Sequence, residues 1–303
     1  MKKNDGIKAP DILFCVAREA VPSHGEDSWY YATDYEKTII GVFDGSGGIG
    51  AQQYSCYKNN TGAYMASRAV AGGVQSWFES SGEVSLDTAV NEALATCVRH
   101  AGTESGIKLK GSLRKDFPTT MALLSIKDNS GMLYADCYWA GDSRCYILDS
   151  AGLHQLSIDD VGSKDAMANL SDDGAMKNVI NASVPFSIHM KQYEFSEPCL
   201  LVSATDGCFG YLPSPMHFEH MILHTLISSD SIQQWKAKID KALHKCAGDD
   251  YTICITGYGF TTFSEVKNFC SNRHAELCEK YIGNDQNLQE LWLEYKPVYE
   301  SYL

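Results

Sequence analysis

An apolar run, Thr38-Ile39-Ile40-Gly41-Val42-Phe43, leads straight into Asp44-Gly45-Ser46-Gly47-Gly48. The run has the length and the Ile/Val/Phe content of a buried strand. It delivers one carboxylate to the end of a sheet, into a turn whose glycines let the backbone approach an ion or a phosphate closely. Alone, that carboxylate is read more readily as an ordinary Asp-Gly turn than as a metal ligand. Three more segments share the pattern. Glu26-Asp27-Ser28 precedes the strand-like Trp29-Tyr30-Tyr31, Leu200 to Thr205 ends in Asp206-Gly207, and Asp249-Asp250 opens Tyr251 to Thr256. Hard divalent cations take oxygen ligands from several chain segments at once. Four acid-bearing strand ends converging at one end of a sheet would form a carboxylate-rich magnesium or manganese site.

The rest of the chain supplies enough material for one large domain. Its 303 residues are 44% hydrophobic, with no Pro/Ser-rich linker, repeat or low-complexity tract. Strands are predicted at Asp11 to Ala17, Trp29 to Thr33, Thr38 to Phe43, Thr119 to Ile126, Met132 to Trp139, Arg144 to Asp149, Lys191 to Phe195, Cys199 to Thr205 and Tyr251 to Gly257. Helices are predicted from an N-cap at Thr61 to about Phe78, after Ser85, at Met216 to Ile227 and at Ser231 to Cys246. The polar stretch from Ile158 to Ala182 reads as a loop or short helices beside the site. Strand runs with inserted helices indicate a layered α+β architecture. Helical spacing resumes from Glu265 to Leu303, where Pro297 should break or kink the last helix. The expected division is a domain over 1–260 and a helical extension over 261–303, either packed on the domain or used for docking.

Charge and cysteine usage exclude some functions. A net charge of −13 argues against nucleic acid or an anionic membrane as partner. The eleven cysteines are scattered, mostly in apolar segments, with no C-x-x-C pair, as expected of thiols in a reducing compartment. Met1 to Asp5 lacks the apolar core of a signal peptide, and no apolar run approaches the ~18 residues of a membrane span. A cytoplasmic protein is expected, or an effector that leaves without a cleaved signal.

Seven short segments, in order, resemble the metal-dependent serine/threonine protein phosphatases of the protein phosphatase 2C type. They are Glu26-Asp27-Ser28, Asp44-Gly45-Ser46-Gly47-Gly48, Phe117-Pro118-Thr119-Thr120, Gly141-Asp142-Ser143-Arg144, Leu156-Ser157-Ile158-Asp159, Ser203-Ala204-Thr205-Asp206-Gly207 and Asp249-Asp250-Tyr251-Thr252. The resemblance covers about Ile12 to Gly257. It implies a β-sandwich of two antiparallel sheets flanked by helices on both faces. It also implies two ions of Mn2+ or Mg2+ that activate water to hydrolyse phosphoserine and phosphothreonine. Asp44 would bridge both ions and Gly45 would offer its backbone carbonyl. Asp206 and Asp249 would complete one shell, with Asp250 in reserve, and Glu26 and Asp27 would serve the second. The catalytic positions it marks are Asp44, Asp206, Asp142 and Ser46. The implied partners are phosphorylated protein substrates and a cognate Ser/Thr kinase or its targets.

Three departures from the family pattern leave a second reading open. Ser46 stands where the family has a histidine, a candidate general acid. Pro22 stands where a phosphate-binding arginine is expected, with Arg18 nearby. Gly210 replaces an acid linked to a third, weaker metal. A degenerate relative that binds metal or phosphoprotein as a regulator or scaffold is the alternative to an active phosphatase. Two clusters stay open as well. Asp142 is either catalytic or, with Arg144, a brace between strands. His217, His220 and His224 share a helical face that could hold zinc, but no acid joins them at ligand spacing, so a surface or packing role is expected.

Overall fold

The computed structural model describes residues 9–102, 116–170, 176–283 and 287–303. Two five-stranded antiparallel sheets face each other. The first has the order β1-β12-β11-β8-β9, built from β1 (Ile12–Arg18), β12 (Tyr251–Tyr258), β11 (Cys199–Ala204), β8 (Arg144–Leu148) and β9 (Leu153–Gln155). The second runs β10-β7-β6-β3-β2, from β10 (His189–Ser196), β7 (Met132–Ala140), β6 (Met121–Asn129), β3 (Thr38–Phe43) and β2 (Ser28–Thr33). The short strands β4 (Gln53–Tyr54) and β5 (Asn60–Thr61) form a separate ribbon.

Side-chain alternation explains why the central strands are apolar throughout. A strand sends successive side chains to opposite faces. In β3, Ile40 and Val42 point into the layer between the sheets, beside Leu124, Ile147, Leu201 and Cys254. Ile39 and Phe43 point outward, against α2 (Gly62–Glu79) and α3 (Leu86–Gly102). In the other sheet, Tyr146, Leu200, Val202 and Ile253 point outward, against α4 (Pro215–Ile227) and α5 (Ile232–Leu243). A strand covered on both faces favours apolar residues, and β3, β8, β11 and β12 are buried along their whole length, with a few hydrogen-bonded polar residues such as Arg144, Ser203 and Thr256 among them. The architecture is therefore helix, sheet, sheet, helix.

Helix starts follow their caps. Thr61, Ser214 and Ser231 each accept a hydrogen bond from the amide three residues on. Gly73, a blemish by propensity in α2, sits at the crossing with α3: a Cβ there would lie 2.9 Å from the Ala89 carbonyl oxygen. The glycine lets the two helices approach.

α6 (Phe263–Lys280) and α7 (Leu288–Tyr299) follow the last strand. Val266, Leu277, Leu291, Trp292, Tyr295 and Tyr299 belong to the same apolar cluster as β8, β11 and α4. The last helix runs two residues past Pro297 and ends at Tyr299. Pro297 lies in its final turn, where the missing amide costs at most one hydrogen bond, and the buried Tyr295 and Tyr299 hold that turn to the core. Three short elements escaped the sequence reading: β9, the β4–β5 ribbon, and α1 (Gly47–Gly50) directly after Asp44. Each is too short for a periodic signal.

Candidate metal centre

Asp44 leaves the end of β3, and three threonine contacts fix its backbone. Thr120 Oγ1 accepts from the Asp44 amide at 3.1 Å, and the Thr120 amide and the Thr119 hydroxyl both donate to the Asp44 carbonyl at 2.8 Å. Thr120 is in turn held by the Ser143 hydroxyl at 2.6 Å. The Phe-Pro-Thr-Thr segment thus orients the Asp44 turn. Gly45 is required sterically, since a Cβ would lie 2.6 Å from the Ala63 carbonyl oxygen and 2.8 Å from that of Glu26.

Around Asp44 the chain collects further acids from separate strand ends. Asp27 precedes β2, Asp142 sits in the β7–β8 turn, and Asp206 follows β11. Asp27 is buried; Asp44, Asp142 and Asp206 are partly exposed. Burial, and then the charges of Asp206, Asp27 and Asp142, hold the Asp44 carboxyl well above the usual carboxylate range. Burial also pushes Asp27 up to about 8, with Asp250 and Asp206 adding to it. Asp142 rises to about 8 through burial, Asp206 and Asp159. Asp206 itself is raised by burial and by Asp249, while its contact with Asp44 opposes the rise. Like charges brought this close disfavour one another's ionisation.

Hydrogen bonding satisfies this group only in part. Thr205 Oγ1 donates to Asp27 Oδ2 at 2.9 Å and accepts from the Thr252 amide at 2.9 Å, which ties the ends of β11 and β12 to Asp27. Asp27 Oδ1, Asp142 Oδ1 and Ser46 Oγ are buried and have no hydrogen-bond partner among the described residues. Buried polar atoms left alone are costly.

The two acids ahead of β12 divide their roles. Asp250 Oδ1 accepts from the Ala20 amide at 2.7 Å and Oδ2 from the Glu26 amide at 2.5 Å, so this carboxylate closes the loop before β2. Among the described residues the Asp249 carboxylate accepts only from the amide of its neighbour Asp250, and burial raises it. Gly207 lies against this loop: a Cβ there would sit 1.8 Å from the Asp250 carbonyl oxygen. Glu26 bonds Thr61 through its Oε1 and lies over Gly47; burial raises it, and Asp250 and Asp249 add to that against the Thr61 bond.

The basic residues near the site are engaged elsewhere. Arg18 pairs with Asp240 through Nε at 2.9 Å and Nη2 at 2.5 Å, so it does not stand in for the arginine expected at Pro22. Arg144 forms a two-point pair with Asp159 at 2.9 and 2.6 Å and lies 4.2 Å from the Phe209 ring centroid. Asp142 and Arg144 therefore part ways: the arginine braces the fold while the aspartate faces the acid cluster. Arg68 was missed by sequence reasoning. Its guanidinium reaches the Gly25 carbonyl at 3.1 Å and stacks 3.5 Å from the Tyr64 ring centroid, holding the Glu26 segment in place.

No protein-family model and no curated protein matches the chain. Solved structures do. The Mycobacterium tuberculosis serine/threonine phosphatase PstP/Ppp is similar with a TM-score of 0.56 at 15% identity, over 82% of this chain and 99% of that one. PppA, a key regulatory component of T6SS in Pseudomonas aeruginosa, gives 0.57 at 16% identity, over 84% and 99%. The catalytic domain of PstP in complex with 2 manganese ions gives 0.51 at 16%, over 81% and 97%. The fold is that of the protein phosphatase 2C-type enzymes. No helix among the described residues is long and apolar enough to cross a membrane.

Proposed function

We propose that this chain is a metal-dependent phosphoserine/phosphothreonine protein phosphatase, a divergent member of the protein phosphatase 2C type. The observation that carries the reading is the acid cluster itself. Asp27, Asp44, Asp142 and Asp206 face one another, and the buried Asp27 Oδ1 and Asp142 Oδ1 have no hydrogen-bond partner among the described residues. Such a donor set suits hard divalent cations. Asp44 would be shared between two ions of Mn2+ or Mg2+, with the Gly45 carbonyl, Asp206 and Asp249 on one side and Asp27 and Glu26 on the other. The ions, when bound, lower the pKa of water and offset phosphoryl charge.

The chain's own residues do the positioning. Thr119 and Thr120 set the direction of Asp44, and Thr205 holds Asp27 toward it. Asp250 and Arg68 lock the segment carrying Glu26. Asp249 rather than Asp250 is the ligand, because Asp250 spends both oxygens on backbone amides. Asp142, held near neutral pKa, is able to keep or release a proton at Oδ1 beside the cluster. Eleven thiols with no disulfide fit a reducing, cytoplasmic setting. A phosphoprotein produced by a Ser/Thr kinase is the substrate class. The test is hydrolysis of a phosphothreonine peptide by full-length protein in Mn2+, against the same protein in chelator. Turnover that needs Mn2+ supports the proposal.

A binding-only relative is the second reading, and a specific observation favours it: Ser46 occupies the histidine position and Arg18 is committed to Asp240. Mn2+ binding without turnover of any phosphopeptide would establish it.

A further inference from the structure

α4 packs against α6, and three imidazoles meet along that seam. His220 and His224 are four residues apart on α4, so they stand one above the other on one face. His274 comes from α6. The ring centroids are 5.2 Å apart for His220–His224, 5.6 Å for His220–His274 and 5.5 Å for His224–His274. One ring nitrogen from each lies within 4.8 Å of the other two. Zn–N bonds of about 2.0–2.1 Å around a tetrahedral ion separate two nitrogens by about 3.4 Å, a small rotamer adjustment away. Cys278 is one turn beyond His274, and its Sγ lies 3.6 Å from His274 Nε2; it stands outside the cluster of three imidazole nitrogens and would close on an ion from the His274 side. A tetrahedral zinc ion holds a sulfur and a nitrogen ligand at about that separation, roughly 3.5 Å. His217, on the same side of α4, is committed instead to the Ser214 hydroxyl at 2.7 Å.

Three imidazoles this close would repel if protonated. Burial, then His224 and His274, push His220 down to about 4. Burial and His224 lower His274 as well. The neutral imidazole is the form that binds a metal.

We propose that His220, His224 and His274, with the Cys278 thiolate as fourth ligand, form a second metal site for a borderline transition ion such as Zn2+. Its nitrogen and sulfur donors suit zinc, whereas the oxygen donors around Asp44 suit Mg2+ or Mn2+. The site joins a helix of the sandwich to the C-terminal extension, so an ion there would clamp the extension down. Because the ligands come together only in the fold, metal binding adds to its stability.

Cobalt(II) titrated into the full-length, Mg2+-saturated protein is the test, read by absorbance and displaced afterwards with Zn2+. Wild type should take up one Co2+ with tetrahedral visible bands and a thiolate charge-transfer band. His224 is exposed, so His224→Ala leaves the fold intact, and it should weaken Co2+ at least about tenfold, since even an outer partner of a ligand is worth that much. His274→Ala should do the same. Cys278→Ser should remove the charge-transfer band and keep the visible ones. Asp44→Asn should change none of this. Zn2+ should also raise the melting temperature of wild type in Mg2+ but not that of His224→Ala. Unchanged Co2+ affinity in both histidine variants, or a spectrum without tetrahedral bands, would overturn the proposal.

Discussion

Two groups of inward-facing charges in this molecule are handled in opposite ways. Under α4, Glu219 is fully buried, and both of its oxygens are answered. Arg273 of α6 donates to them at 2.8 and 3.0 Å, and the Tyr295 hydroxyl of α7 adds a bond at 2.6 Å. Arg144 and Asp159 form a second matched pair, with Asn169 donating to the same carboxylate at 2.7 Å. At the strand ends, Asp44 faces Asp206, Asp27 and Asp142, and no cation among the described side chains pairs with any of these four at ion-pair distance. The chain plainly has the means to neutralise a buried acid. Leaving four together points to a charge supplied from outside, and the partial exposure of Asp44, Asp142 and Asp206 gives it a way in.

The largest test of that contrast is Asp44→Asn. Metal-dependent hydrolysis of a phosphothreonine peptide should fall by at least about 10³-fold, since several kcal/mol of charge stabilisation would go with the ions. In chelator, the same variant should melt no lower than wild type, because a repelling charge has been removed. A variant that melted well below wild type in chelator would show Asp44 to be structural.

Arg273→Ala should behave in the opposite sense. It leaves Glu219 buried without its main partner, and breaking such a pair costs about 3–5 kcal/mol. Chemical denaturation should show that loss with or without Mn2+. A change below about 1 kcal/mol would mean that the seam is no better neutralised than the strand ends.

A smaller effect lies in pH. Asp27 and Asp142 sit near 8 in the fold against 3.8 for an ordinary aspartate. The folded state therefore holds protons that the unfolded chain has released, and stability drops as pH rises from about 4 to about 8. Without metal, the melting temperature should decline across that window. With Mn2+ the carboxylates are already ionised, so the decline should flatten and binding should release protons. Parallel curves in chelator and Mn2+ would erase the distinction between the two regions.

The acids at Asp44, Asp206 and Asp249 were legible because each adjoins an apolar run that is buried along its length, whereas β2, after Asp27, is covered only in part. The same runs indicated a layered α+β architecture, which the family resemblance sharpened to a sandwich, and Phe43 beside Val42 shows how one strand serves two cores. What stayed hidden depends on contacts between distant segments. The resemblance favoured Asp249 over Asp250, but what Asp250 does instead appears only when the amides of Ala20 and Glu26 are brought to it. Arg144 cannot be separated from Asp142 without Asp159 in place. No local pattern tells Arg18 that Asp240 will claim it, or brings His274 to His220 and His224.

Anomalous diffraction at the manganese edge, from crystals grown in Mn2+, tests the central claim most directly. Two peaks should flank Asp44, one also contacting Asp206 and Asp249 and the other on the side of Asp27. No peak within coordination distance of Asp44, or manganese bound only elsewhere on the molecule, would contradict the account.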